Sequence, residues 1–223
     1  MRYVLRIAVP DRPGALGALA TSLGTASVDI AALTVIERND GVAVDDVAVE
    51  SPLSAAALRW IFEEVPGVLV EALDEVRAPS AAEGPSALAA VVAEAADPLA
   101  CLVEGLPDTL SARWAVALEE GSGGMAAVAA TAGAPWSPPG LRLPFLPNDS
   151  ARRLPPAAWM PSAWTVAGRL EVAAIRTCGP SLLFLAARVD GPRFRQGELD
   201  RLRDLTRVAV ASASRRTPAV ALP

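Results

Sequence analysis

Arg2-Tyr3-Val4-Leu5-Arg6-Ile7-Ala8-Val9-Pro10-Asp11-Arg12-Pro13-Gly14-Ala15-Leu16 decides the reading of the first half of the chain. Tyr3, Leu5, Ile7 and Val9 alternate with Arg2, Val4, Arg6 and Ala8, the two-residue period of a half-buried strand. Pro10 ends that run. Pro13 falls where the first turn of a helix accepts a residue without an N–H, and Leu16, Leu19, Ala20 and Leu23 then recur at helical spacing. A strand followed at once by an amphipathic helix is therefore expected.

The segments that follow complete a recognisable order. Residues 28–38 are β-branched and long enough for a strand, and Asn39-Asp40-Gly41 is a tight-turn signal because Asp-Gly takes up positive φ angles readily. Residues 42–50 return as the partner strand. Ser54 caps a second helix striped by Leu58, Ile61, Phe62 and Val65, Pro66-Gly67 stops it, and residues 68–76 give a fourth strand. This βαββαβ order is the ferredoxin-like arrangement, four antiparallel strands with both helices on one face.

Two prolines within the small-residue run 78–86 mark a linker. The expected organisation is a domain over 1–77, the linker 78–86, a second domain over 87–216 and a tail 217–223. In the second domain residues 88–102 hold one helix or two, broken at Asp97-Pro98, with 106–110 as an extension. Residues 114–118 and 125–131 read as strands joined by Glu119-Glu120-Gly121-Ser122-Gly123-Gly124. Eight prolines crowd residues 135–161, which excludes a regular helix or a central strand there. Strands resume at 170–176 and 182–189 around a turn at Cys178-Gly179-Pro180. A final helix turns Leu199, Leu202, Leu205 and Ala209 inward, opposite Asp200, Arg201, Arg203, Asp204 and Arg207. The fold class is α+β: the βαββαβ domain, then an α/β sandwich with a central antiparallel sheet.

Composition narrows the chemistry. The 223 residues are 52% hydrophobic and 4% aromatic, with 20 basic and 25 acidic side chains and a formal charge of −5. There is no histidine, and every basic residue is arginine. That removes Ser-His-Asp and Cys-His nucleophile pairs, imidazole-held metals, a P-loop lysine and Schiff-base chemistry. No cofactor and no metal are expected. The acidic balance argues against nucleic acid as a partner, since binding there depends on neutralising phosphates. No stretch reads as a secretory leader or a spanning helix, so a cytoplasmic location without membrane contact is expected. Cys101 and Cys178, 77 positions apart, fit no metal or redox spacing and read as two buried free thiols. Asp45-Asp46, Glu63-Glu64 and Glu119-Glu120 read as solvated charge. Trp136, Trp159 and Trp164 either line a pocket or anchor an alanine-rich core.

Asp11-Arg12-Pro13-Gly14-Ala15-Leu16, a small-residue helix and then Ser27-Val28-Asp29-Ile30 resemble the ACT domain, a regulatory module that binds amino acids. The resemblance spans about residues 2–77. It implies a homodimer with sheets joined side by side across a two-fold axis. The ligand, an amino acid or similar small molecule, would lie at Asp11, Arg12, Pro13, Gly14, Ala15 and Leu16 of one copy and Asp29 and Ile30 of the other. Physical reasoning on the same residues agrees: a helix N-terminus offers N–H groups to a carboxylate, Gly14 permits close approach, and Arg12 can fork onto an anion. Asp29 is the group expected to take the ammonium. It stands where the family often has asparagine, and Ser27 where it often has glycine.

Gly191-Pro192-Arg193-Phe194, followed by Glu198-Leu199, Leu202, Leu205 and Val208-Ala209, is similar to the end of a GAF domain, a small-molecule sensor. Arg195 stands where that family usually has a capping Ser or Thr. The expectation is a non-catalytic regulatory protein whose first domain binds an amino acid and signals through a GAF-like second domain to an unknown protein partner. One alternative is a ligand-free scaffold. Another is an enzyme of Asp, Glu, Arg or Cys only, with Cys178 as nucleophile.

Overall fold

The computed structural model of the chain describes residues 1–76, 85–135, 141, 146–155, 157, 159–165, 168–178 and 181–216. The fold is mixed α+β, and the chain divides into two compact units, Met1–Pro79 and Ser80–Pro223. The expected linker lies largely outside the described residues, as do Trp136, Gly179-Pro180 and the tail 217–223.

The first unit runs β1 (Arg2–Pro10), α1 (Ala15–Thr25), β2 (Asp29–Asn39), β3 (Val42–Glu50), α2 (Ala55–Glu63) and β4 (Leu69–Val76). Its sheet has the order β2-β3-β1-β4, every neighbouring pair antiparallel. Asp40 and Gly41, at φ 50° and 77°, make the two-residue turn between β2 and β3. Tyr3, Leu5, Ile7 and Val9 share one core with Ala43, Val47 and Val49 of β3, Leu19 and Leu23 of α1, and Leu58 and Phe62 of α2. Ser54 caps α2 through its side chain, accepting from the Ala57 amide at 3.3 Å.

Two details of α1 differ from the expectation. The helix begins at Ala15, so Pro13 precedes its Gly14 cap instead of lying in the first turn. Only one helical row is buried, Leu19 and Leu23, while Leu16 and Ala20, about 60° round the helix, stay exposed.

The second unit runs α3 (Pro85–Glu94), α4 (Pro98–Leu110), β5 (Trp114–Gly121), β6 (Gly124–Ala130), β7 (Arg152–Leu154), α5 (Ser162–Thr165), β8 (Leu170–Arg176), β9 (Leu182–Val189) and α6 (Gln196–Arg216). Residues 88–102 thus hold two helices. Asp97 separates them: its carboxylate accepts from the Leu99 and Ala100 amides at 3.1 and 3.0 Å, with Pro98 opening α4 behind it. Gly105 lets α3 approach α4, since a Cβ there would overlap the Leu88 side chain.

The sheet order is β6-β5-β9-β8-β7. β5, β8 and β9 are covered on both faces. On one face Ala117, Ile175, Phe184 and Ala186 pack against Leu102, Leu106, Leu202 and Leu205 of α4 and α6. On the other, Val116, Val172 and Leu185 meet Leu146, Leu154 and Met160 from the proline-rich stretch and Trp164 of α5. Trp164 sits edge-on to Trp114 and Trp159, with ring centroids 5.4 and 6.0 Å away, so these rings are core anchors. Two short elements are hidden in the sequence, the edge strand β7 inside this stretch and the single turn α5 just after it.

Arg188 fastens the helical layer to the sheet. Its guanidinium is 2% exposed and donates to the Leu110 and Ser111 carbonyls at the end of α4, to the Pro192 carbonyl and to Glu198 in α6. It also lies 4.0 Å from the Phe194 ring centroid. Glu198 returns its second oxygen to the Arg195 amide at 2.8 Å. The α6 start that lacks a capping Ser or Thr is therefore closed from inside by its own third residue. Glu198→Ala leaves a buried cation short of its counter-charge, and urea denaturation should show a loss of about 3–5 kcal/mol. An unchanged midpoint would refute this role for the pair.

Candidate functional site

Loop 11–14 leaves the sheet where Pro10 of β1 faces Val42 of β3. The Asp11 amide donates to the Gly41 carbonyl at 2.8 Å, tying the loop to the β2–β3 turn. Arg38 of β2 pairs with the Asp11 carboxylate at 3.9 Å in an exposed contact. Gly14 is the N-cap of α1 with φ 89°, a left-handed conformation that glycine accepts without strain. It brings no side-chain acceptor, and the first turn contains no acidic residue. The space around its absent Cβ is open, with no atom within 4 Å. The positive end of α1 is thus presented without the usual side-chain cap.

Asp11, Arg12, Pro13, Gly14 and Leu16 are exposed and Ala15 is half-buried, so the structure gathers all six at one end of the sheet. Asp29 and Ile30 are not with them. Asp29 faces Glu50 and Ile30 faces Val49, at the opposite end of β3 from Val42. Eight residues of strand, roughly 25 Å, separate the two groups within one chain. Asp29 also lies on the far face of the sheet, beside the Arg2–Glu50 pair, while Ile30 faces the helices.

Asp45 and Asp46, expected as solvated charge, point to opposite faces of β3 and neither is solvated. Asp46 stands directly opposite Arg6, which donates to it from Nε and Nη2 at 2.8 and 2.7 Å. Asp45 stands opposite Ile7 and turns into the helix-side face, where it is 1% exposed. Its Oδ1 has no hydrogen-bond partner among the described residues. Burial pushes the Asp45 carboxyl above its ordinary value, Arg38 draws it partly back, and the charges of Asp11 and Asp46 add to the rise. A signal was available: 45 shares its parity with 43, 47 and 49, the apolar side of β3.

The other carboxylate pairs are exposed and serve local contacts. Glu63 meets Arg59 at 3.2 Å, and Glu120 accepts from Arg176 and Ser181. Gly121 faces Gly124 across a hairpin turn. Both cysteines are free, but Cys101 is half-buried on the flank of α4 and Cys178 is exposed beyond the end of β8, which corrects the expectation of two buried thiols. The Cys178 thiol is held above its usual pKa by its hydrogen bond to Asp149, and burial raises that of Cys101. Both shifts lower the thiolate fraction at neutral pH. Among the described residues no cluster of three or more Cys, Asp or Glu could hold a metal ion, and no helix is long and apolar enough to cross a membrane.

No protein-family model matches the chain, and no curated protein matches it. Among solved structures it is similar to an ACT domain protein from Streptococcus pneumoniae, at 10% identity and a TM-score of 0.27, covering 33% of this chain and 88% of that one. It is also similar to an unknown protein from Galdieria sulphuraria, at 11% identity and a TM-score of 0.32, covering 96% and 92%. Both scores are low.

A carboxyl with a raised pKa holds its proton more tightly in the folded than in the unfolded chain. Its contribution to stability is complete below the unfolded value of 3.8 and is lost as pH rises through the raised folded value. Asp45→Asn should therefore stabilise the protein at pH 7 by roughly 1–3 kcal/mol, and the gain should vanish below pH 3.8. Thermal melts at the two pH values check it; a variant less stable at pH 7 would contradict the assignment.

Proposed function

We propose that the chain is a non-catalytic regulatory protein whose first unit, an ACT-like domain on a ferredoxin-like frame, binds a free amino acid. The observation that carries this reading is the start of α1: an exposed helix N-terminus with no side-chain cap, behind a glycine at φ 89° with open space above it. A carboxylate is the group such a site accepts best.

A second copy completes the site in this reading. β2 is an edge strand of 11 residues. Two such edges pairing antiparallel across a two-fold axis would carry Asp29 and Ile30 of one copy to the Arg38–Asn39 end of the other, beside its loop 11–14. The 25 Å separation within one chain is then the geometry that a shared site between copies needs. The second unit, read as GAF-like from its central antiparallel sheet and closing helix, supplies the output surface. A ligand favouring one pairing geometry shifts the population and so changes what that surface presents to a protein partner.

Thermal-shift measurements on the full chain against each of the twenty amino acids test the proposal. At least one should raise the melting temperature with concentration, by the equivalent of about 2.7 kcal/mol at a hundred times its Kd. A flat response to all twenty would sink it and favour a ligand-free scaffold. Sedimentation equilibrium should give twice the 23.0 kDa chain mass, and a monomer at all concentrations would remove the shared site.

A further inference from the structure

We infer that Asp45 is the group that receives the ligand's ammonium, and that the ligand is an α-amino acid with an apolar side chain held against Leu16, Leu33 and Val35. This rests on the amino-acid reading above and moves the ammonium contact from Asp29 to β3.

Topology places the carboxylate. α1 connects β1 to β2, and β3 lies between those two strands, so the connection passes over β3. Asp45 is three residues from Val42, whose partner Pro10 is the last residue before loop 11–14. Its cross-strand partners are Ile7 and Val35, and Ile7 is a fully buried member of the helix-side core. The Asp45 carboxylate therefore projects toward the side from which α1 starts. It lies near enough to Asp11 and Arg38 for both charges to act on it.

Two unmet demands thus share one face and one end of the sheet. The α1 start offers amides without a side-chain cap to an anion. Asp45 offers a buried oxygen, Oδ1, without a hydrogen-bond partner among the described residues. Buried polar atoms in native proteins are nearly always satisfied, so an unsatisfied one marks a place for a missing partner. An anion receptor beside a cation receptor is complementary to a zwitterion. Arg38, the nearby cation, is engaged with Asp11 at 3.9 Å, and both side chains are well exposed, an ion pair weak enough to open.

The surroundings set the side chain. Leu33 and Val35 pair with Val47 and Asp45, so both lie on the helix side of β2, and each is 39% exposed. Leu16, in the first turn of α1, is 37% exposed. Large apolar groups left open next to a charged receptor favour an apolar ligand side chain over a charged one. Asp29 lies on the face of the sheet away from the helices, in its own chain and in a β2-paired second copy alike, and is left free of this role.

Calorimetric titration of the full chain with L-valine, L-leucine and L-isoleucine, beside L-aspartate and L-arginine, tests the assignment. At least one of the branched amino acids should bind. 4-Methylpentanoate, which lacks the ammonium of leucine, should bind the unsubstituted chain at least tenfold more weakly than leucine. Asp45→Asn should weaken binding by about 10–100-fold while melting no lower than the unsubstituted chain, and Asp29→Asn should stay within threefold. Unchanged affinity in Asp45→Asn, or a loss carried by Asp29→Asn, would overturn Asp45 as the receptor while leaving amino-acid binding intact. Binding of the charged pair without the branched three would overturn the apolar class. Silence from all five would overturn the apolar assignment, and silence from all twenty in the thermal-shift measurements would overturn the amino-acid reading with it. Should Asp45→Asn fail to fold, the 4-methylpentanoate comparison on the unsubstituted chain decides alone.

Discussion

Every residue of β1, from Arg2 to Pro10, pairs with one of β3, from Glu50 to Val42, without a bulge. That unbroken register governs the first unit. With a side-chain period of two, all odd positions of both strands turn to the helices and all even positions turn away. Tyr3, Leu5, Ile7 and Val9 then meet Ala43, Val47 and Val49 in one core, and Arg6 meets Asp46 on the other face. The same constraint drives Asp45 into the helix-side core. A slip of one residue would exchange the two aspartates and break the Arg6 fork, so the strands cannot relieve Asp45 without losing both layers. Irregularities in pairing occur instead on the flanking strands β2 and β4, where an edge strand can absorb an extra residue.

The second unit solves a different problem. Its central strands are covered on both faces, which is why residues 182–189 read as a nearly continuous apolar run and not as an alternation. An alanine-rich sheet buries little area per residue, so the large side chains must come from the layers around it. On the helical face they are the leucines of α4 and α6, anchored by Arg188. On the other face Trp159 and Trp164 supply the bulk, with Trp164 edge-on to Trp114 of β5.

Strong periodic signals carried most of this architecture in the sequence. The alternation at residues 2–9, the Asp40-Gly41 turn, the Ser54 cap and the Leu199–Leu202–Leu205 stripe each state one local preference that the packed structure keeps. What stayed hidden depended on a neighbour or on too few residues. Three residues of β7 and four of α5 carry no period; β7 is held by pairing with β8 and α5 by the burial of Trp164. Leu16 and Ala20 carry the helical spacing, yet how many rows of a helix are covered is decided by what lies opposite. Loop 11–16 was legible as a candidate site from its chemistry, whereas Asp45 was concealed by its pairing with Asp46 in sequence. Adjacent acids look like solvated charge until the strand's parity is applied to each separately.

Parity also gives the absence of lysine a structural meaning. A buried carboxylate is commonly matched by a lysine ammonium or an arginine fork brought from another element. No side chain of this protein carries an ammonium group. An arginine fork is planar and wide, and Arg38 remains half outside, engaged with Asp11. Asp45 is therefore held in a place where the compact cation it suits cannot come from the protein's own side chains. The α1 start is in the matching position, since Gly14 brings no side chain to satisfy it. Both deficits lower the stability of the free protein, and a small zwitterion would relieve both in one event. In the proposed function, stability withheld from the free state in this way would become differential affinity for the liganded one, which is the quantity that a regulatory equilibrium requires.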